Sequence, residues 1–255
     1  MRRLAPGVPI VIPAMRDGIA QGFTTSLARP DGNITGSAVF YAELSGKRLE
    51  LLKEAVPRLQ RAGAVFNAAL NANPPQGIAV MTAAGEALGV RVVSMPVAMP
   101  GGVDAAFAAA VREGIQGVAA LSDTATISYR ASLCDAALAH RLPAMYSNRS
   151  YLRGGGLMSY GPDLEAVYHR AANFVDRLLK GAQVADLPIE QVTSFQDDAE
   201  PQSCASARPA LPAVAAAARR RGDRMLAPGP ACLRWVALLT GVPRLLIGEI
   251  ARGQF

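Results

Sequence analysis

Short apolar runs alternate with helical patterns along the first 195 residues. That alternation narrows the possible folds more than any other property of the chain. The runs are Pro9–Pro13, Ala62–Phe66, Val90–Val97, Gly117–Leu121 and Leu142–Tyr146. Between them the spacing predicts helices over Gly18–Leu27, Gly46–Val56, Gly77–Leu88, Val103–Glu113 and Ile127–His140. Strands separated by helices of about 10–15 residues indicate βαβ units and a parallel sheet. The runs are apolar throughout rather than alternating, as in a sheet covered on both faces.

The punctuation agrees. Pro30 followed by Asp31-Gly32 favours a tight reversal, Ser45 is a plausible N-cap, and Pro57 closes the helix that Ser45 would open. Gly156–Phe195 reads as strand, turn, amphipathic helix, turn, strand. Beyond Phe195 the chain is rich in Ala, Pro and Arg with little pattern. The late stretch Cys232–Ile250 has some amphipathic character, for which an interfacial helix is one reading and chance apolarity the other.

Composition excludes several functional classes. A hydrophobic fraction of 51% with 18% charged residues supplies a sizeable core, and only 5% aromatic residues argues against base-stacking modules. The net charge of +6 is no nucleic-acid signal, because residues 196–255 hold 8 Arg against 5 Asp and Glu, half of that excess. The three cysteines, Cys134, Cys204 and Cys232, form no CxxC pair, and His140 and His169 are far apart, so no metal or cofactor set is expected. A Cys134–His140 nucleophile pair lacks a recognisable orienting partner. No apolar run reaches the roughly 20 residues a spanning helix needs. The opening MRRLAPGVPIVIPAM mimics a signal peptide, but its prolines favour a buried strand, so no export signal is read there.

In parallel sheets ligands sit at the carboxyl ends of strands. Those ends are polar here. Arg16 and Asp17 follow the first run, and Asn67, Asn71 and Asn73 the second. Ser122, Asp123 and Thr124 follow Leu121, while Ser147, Asn148 and Ser150 follow Tyr146. Amides, hydroxyls and a carboxylate suit a small polar molecule held by hydrogen bonds, and the same residue types also cap helices. No GxGxxG follows a strand, Ser45–Arg48 lacks the upstream glycine of a phosphate loop, and no GxSxG elbow occurs. An enzyme is not favoured.

Four segments resemble one family. Ser26–Gly36, Glu43–Pro57, His140–Leu164 and Arg170–Phe195 closely resemble the ABC-transporter substrate-binding proteins, the tryptophan/tyrosine-type binding proteins among them. The likeness runs almost continuously from Pro9 to Phe195. It implies an α/β, type I periplasmic-binding-protein fold: two Rossmann-like lobes with parallel sheets, joined by a hinge and closing on a small polar, amino-acid-like ligand. Residues 1–38 would be part of the first lobe, 39–159 the second lobe, and 160–195 the hinge return and a first-lobe helix. Val39–Glu43 and Ser159–Pro162 would be hinge crossings. Asn67, Asn71, Ser122, Asp123, Tyr146 and Ser147 would face the cleft. Asp17 would match the Asp of a common family Asp-Pro, with Gly18 standing where that Pro would be. The implied partners are the ligand and a membrane permease, with no nucleic acid. The implied location is periplasmic or lipid-anchored outside the cytoplasm, whereas the chain as written, with no export signal read in it, is expected to stay cytoplasmic.

The pattern departs from the family at both ends. The first lobe reads as incomplete. After Phe195 the family motif N-L-K is missing, yet Asp197–Ser203 read one base later can encode M-T-L-N-L-K, and Ala218–Arg224 can similarly encode R-A-D-E-V-I. We therefore expect a change of reading frame after Phe195 and little defined structure in residues 196–255. A non-functional remnant and an α/β enzyme using the same crevice remain the alternatives.

Overall fold

The structure, a computed structural model, describes residues 7–16, 18–19, 21–68, 76–193 and 195–199. Its strands and helices alternate as β1 (Ile10–Met15), β2 (Ile34–Ala38), α1 (Leu44–Ala55), β3 (Arg61–Asn67), α2 (Gln76–Leu88), β4 (Arg91–Val97), α3 (Val103–Arg112), β5 (Gly117–Ala120), α4 (Thr124–Ser128), α5 (Arg130–Ala139), β6 (Ala144–Tyr146), α6 (Ser150–Arg153), β7 (Met158–Pro162), α7 (Leu164–Leu179), β8 (Glu190–Gln191) and β9 (Phe195–Ala199).

The chain divides into two compact units. One takes its described residues from Met1–Tyr41 and Pro162–Phe195, the other from Ala42–Gly161 and the residues after Phe195. The larger unit is built on a six-stranded sheet ordered β4-β3-β5-β6-β7-β9, parallel from β4 through β7. Its central strands are buried along their length. Ala62, Ala64, Val65, Val118, Ala119, Ala144 and Met145 are each at most 1% exposed, as helices on both faces demand. β4 lies at the sheet's end, where Met95 and Val97 turn inward and Arg91, Ser94 and Pro96 outward. A proline is tolerated there because an edge strand has one unused row of N–H groups. Phe107, Leu49, Leu52 and Met81 seal the helices onto the sheet, each contributing about 1.5–3 kcal/mol by burial.

The smaller unit has a three-stranded parallel sheet ordered β1-β2-β8. α7 packs on β1 and β2. Its core is short: Met15, Ile34, Ala38 and Ile189 in one cluster, Val39, Val167 and Val192 in another.

Four local expectations are corrected. Gly18–Leu27 holds no helix among its described residues. Gly22 sits at φ +68°, and the Thr24 hydroxyl bonds the Ser26 carbonyl and the Asp31 carboxylate, both at 2.8 Å. The Thr25 N–H donates to the same carboxylate at 2.9 Å. These side chains offer the backbone an alternative to the helix, and the bonds hold the Asp31 carboxyl down at about 2. Ser45 does not cap α1. The helix begins one residue earlier, and Ser45 is buried inside its first turn against Gly77. Ile127–His140 is two helices, because Asp123 starts α4 early and Tyr129 interrupts the run at ψ 24°. The change of pattern at Phe195 does not end regular structure, since β9 continues to Ala199 beside β7. Cys232–Ile250 lies outside the described residues.

Candidate ligand-binding site

Parallel register aligns the carboxyl ends of β3, β5, β6 and β7 along one edge of the six-stranded sheet. Four of the sequence-predicted residues meet there. Asn67 ends β3, Ser122 and Asp123 follow β5, and Ser147 follows β6. Asn67, Asp123 and Ser147 are buried and Ser122 is half-buried. Asp17, Asn71 and Asn73 lie outside the described residues.

Asp123 organises this edge. One carboxylate oxygen accepts the Thr126 N–H at 2.7 Å and the other accepts the Asn67 N–H at 3.2 Å. The Thr126 hydroxyl accepts the Asp123 N–H at 3.3 Å, which completes a capping box. It also bonds the Leu121 carbonyl at 3.0 Å. Asp123 therefore ties the end of β3 to the end of β5 and starts α4 with the same side chain. Asn148 does similar work after β6, where its Oδ1 accepts from both the N–H and the hydroxyl of Ser150 at the start of α6.

Ser147 is different. Its hydroxyl is fully buried and has no hydrogen-bond partner among the described protein groups, as is also true of the Ser159 and Tyr151 hydroxyls. A buried hydroxyl left unpaired costs about 1–3 kcal/mol. The Tyr151 hydroxyl is pushed up to about 12 by burial, with Thr126 and Ser147 beside it opposing the rise without being aligned into a hydrogen bond. The strands close tightly here. A side chain on Gly161 would place its Cβ 1.9 Å from the Ser147 carbonyl oxygen, so only glycine lets β7 approach the end of β6.

Tyr146 does not face the strand end. Its ring stacks on Tyr151 at 4.6 Å between centroids, and its hydroxyl donates to the Leu133 carbonyl at 3.4 Å inside the helix layer. Ser147 follows the last residue of β6, and its hydroxyl lies beside that of Tyr151. Burial also holds Cys134 inert. Its thiol is pushed up to about 11, chiefly by desolvation, and it contacts the Tyr151 carbonyl at 3.6 Å. His140 pairs instead with Asp104 at 2.8 Å, so the two are not a nucleophile and its base.

Two contributors escaped the sequence reading. Arg48 is completely buried, and its Nε donates to the Tyr160 carbonyl at 2.9 Å, which puts a permanent positive charge against β7. It follows Leu44 by four residues and precedes Leu51 and Leu52, so its place on the buried face of α1 was legible in the spacing. Ser159 was expected only as the start of a hinge crossing, and it is buried in β7 opposite Tyr146. Among the described residues no cluster of His, Cys, Asp and Glu could hold a metal ion, and no helix is long and apolar enough to cross a membrane.

Parallel sheets with polar loops at a carboxyl edge occur in many α/β folds, and solved structures place this one in the type I periplasmic-binding class. One is the ABC domain in complex with L-Trp from Streptococcus pneumonia, which matches with a TM-score of 0.64 at 19% identity, over 75% of this chain and 65% of that one. A conserved domain protein from Vibrio cholerae matches with a TM-score of 0.65 at 21% identity, over 89% of this chain and 70% of that one. The model of the ABC transporter substrate binding protein family matches residues 4–197, and the chain belongs to that family. A tyrosine-binding protein from Clostridioides difficile is 23% identical over 182 residues, 71% of this chain and 52% of that protein. The chain thus spans about half the length of the curated relative it matches.

Proposed function

We propose that this chain is the ligand-binding component of an ABC uptake transporter, working outside the cytoplasm with a membrane permease. In this reading its larger unit holds a small, polar, amino-acid-like ligand at the carboxyl edge of the six-stranded sheet. Asn67, Ser122 and Ser147 offer amide and hydroxyl groups to the ligand, Asn71 is assigned to the same task, and Asp17 is proposed as a ligand contact contributed by the smaller unit. Asp123 sets the loops, and Tyr146 supports the layer beneath. The observation that carries this is the convergence of Asn67, Ser122, Asp123 and Ser147 on one sheet edge in a member of a substrate-binding family. Relatives named for tyrosine and for a complex with L-Trp make those two amino acids the first ligands to try. Thermal melts and titration calorimetry against a panel of amino acids test the proposal. Saturable binding of one of them, without turnover, supports it, and a ligand at about 100 times its Kd stabilises the chain by about 2.7 kcal/mol. A panel that leaves the melt unchanged refutes it.

We also infer a change of reading frame after Phe195, supported by the end of the family match at residue 197. The coding DNA tests it: codons incompatible with N-L-K in the shifted frame overturn it.

A further inference from the structure

The Asp123 carboxylate sits where charges are seldom left alone. The residue is only 7% exposed, and carboxylates are almost never buried that deeply unless something pairs with them. Its two oxygens take up the Asn67 and Thr126 N–H groups, one each. Both donors are neutral, and none of the described ion pairs includes Asp123. A carboxylate has about four acceptor sites, so some stay open after the backbone is served. Capping α4 requires an oxygen at this position. It requires no charge, because asparagine caps a helix about as well as aspartate.

The neighbours point the same way. The Ser147 and Tyr151 hydroxyls are fully buried, and neither has a hydrogen-bond partner among the described residues. Burial is the main reason the Tyr151 hydroxyl is pushed up to about 12, and the nearby Asp123 charge adds to the rise. The Tyr151 ring stacks on Tyr146, a task that phenylalanine would perform equally, so packing does not call for the hydroxyl. The ends of β5 and β6 thus gather one negative charge and two unused hydroxyl oxygens. An ammonium group is the complement, with three N–H donors, no acceptor and a positive charge. A ligand carboxylate placed here would meet a like charge in a low-dielectric setting. The groove of about 470 Å³ along α7 has the opposite character: it is lined by Arg170 and Arg177, and its one acid, Glu190, is already paired with Arg170 at 2.6 Å.

We propose that Asp123, Ser147 and Tyr151 receive the ligand's ammonium group, which makes a free primary amine the feature this chain demands of its ligand. The proposal rests on the reading of the larger unit as a ligand-binding lobe. It adds Tyr151 as a contact and assigns the charge of Asp123 to the ligand rather than to the fold.

Calorimetry and thermal melts of the full chain with matched probes test this. The probes are L-tryptophan and L-tyrosine, their amines tryptamine and tyramine, and their deaminated acids indolepropionate and hydroxyphenylpropionate. Each deaminated acid should bind at least about 30-fold more weakly than its amino acid, while the matching amine retains binding. Asp123→Asn keeps an acceptor for the Thr126 N–H and should bring the amino acid and its deaminated acid to similar affinities. Tyr151→Phe and Ser147→Ala should each weaken amino-acid binding about tenfold with the melt unchanged or raised, since the hydroxyls are unpaired in the free chain. A deaminated acid that binds as tightly as its amino acid overturns the proposal and leaves the ligand-binding reading standing. So does a Tyr151→Phe chain that binds normally, or one whose melt falls, which would show a hydroxyl serving the fold. If none of the probes binds, the proposal and that reading fall together.

Discussion

The two sheets begin from the same kind of sequence and end in different states. Ala62–Phe66 and the apolar run of β1 both read as strands buried on two faces. In the larger unit that reading is fulfilled, with β3 lying between β4 and β5 and buried from Ala62 to Asn67. In the smaller unit Ile10–Ala14 are only half-buried and Met15 alone is enclosed. The difference lies in the neighbours rather than in the strands. β1 pairs on one side only among the described residues, and α7 covers it with three buried side chains. A run of Ile and Val encodes a tendency to be covered, while the number of elements within reach decides how much covering occurs.

That contrast should appear first in stability. Phe107→Ala in the larger unit removes a ring that is 1% exposed and should cost about 3–5 kcal/mol. Val11→Ala in β1 should cost under about 1 kcal/mol, because a half-buried side chain leaves little cavity. Urea denaturation measures both, and equal costs would erase the distinction. Next in size is Asp123→Ala, which removes the cap of α4 and the partner of the Asn67 N–H. It should cost about 1–2 kcal/mol and weaken ligand binding, which calorimetry beside the melt can separate.

Titration divides the units as well. In the larger unit burial raises Cys134 from 9.0 to about 11 and Tyr151 from 10.0 to about 12. The unfolded chain therefore loses these protons first, and stability present below pH 9 should fall as pH rises toward 11. In the smaller unit Asp31 lies at about 2 against an ordinary 3.8. Its contribution is present above 3.8 and lost as pH falls toward 2. A denaturation midpoint followed from pH 2 to 11 reads the alkaline limb, and carboxyl NMR reads Asp31. The smallest expected effect is that of Leu179→Asp, a side chain 84% exposed, which should change the chain's stability by within about 0.5 kcal/mol.

Much of the larger unit was legible because its signals are local or periodic. Strand–helix alternation implied parallel strands, parallel strands align their carboxyl ends, and so Asn67, Ser122, Asp123 and Ser147 reach one edge from three separate stretches of sequence. What stayed hidden depends on direction and competition. Tyr146 was expected at the strand end, but its ring stacks on Tyr151 of α6 and its hydroxyl bonds the Leu133 carbonyl of α5, partners that the local pattern of β6 does not announce. Ser45 looked like a cap until its burial against Gly77 absorbed it into the first turn of α1. The helix expected at Gly18–Leu27 lost to side-chain bonds from Asp31, several residues downstream.

The most direct test of the central claim is an amide NMR titration of the full chain with L-tryptophan and L-tyrosine. The account predicts saturable shifts, with one ligand per chain, centred on Asn67, Ser122, Asp123 and Ser147 at the carboxyl edge of the six-stranded sheet. Shifts absent from that edge, or centred instead on the α7 groove lined by Arg170 and Arg177, would contradict it.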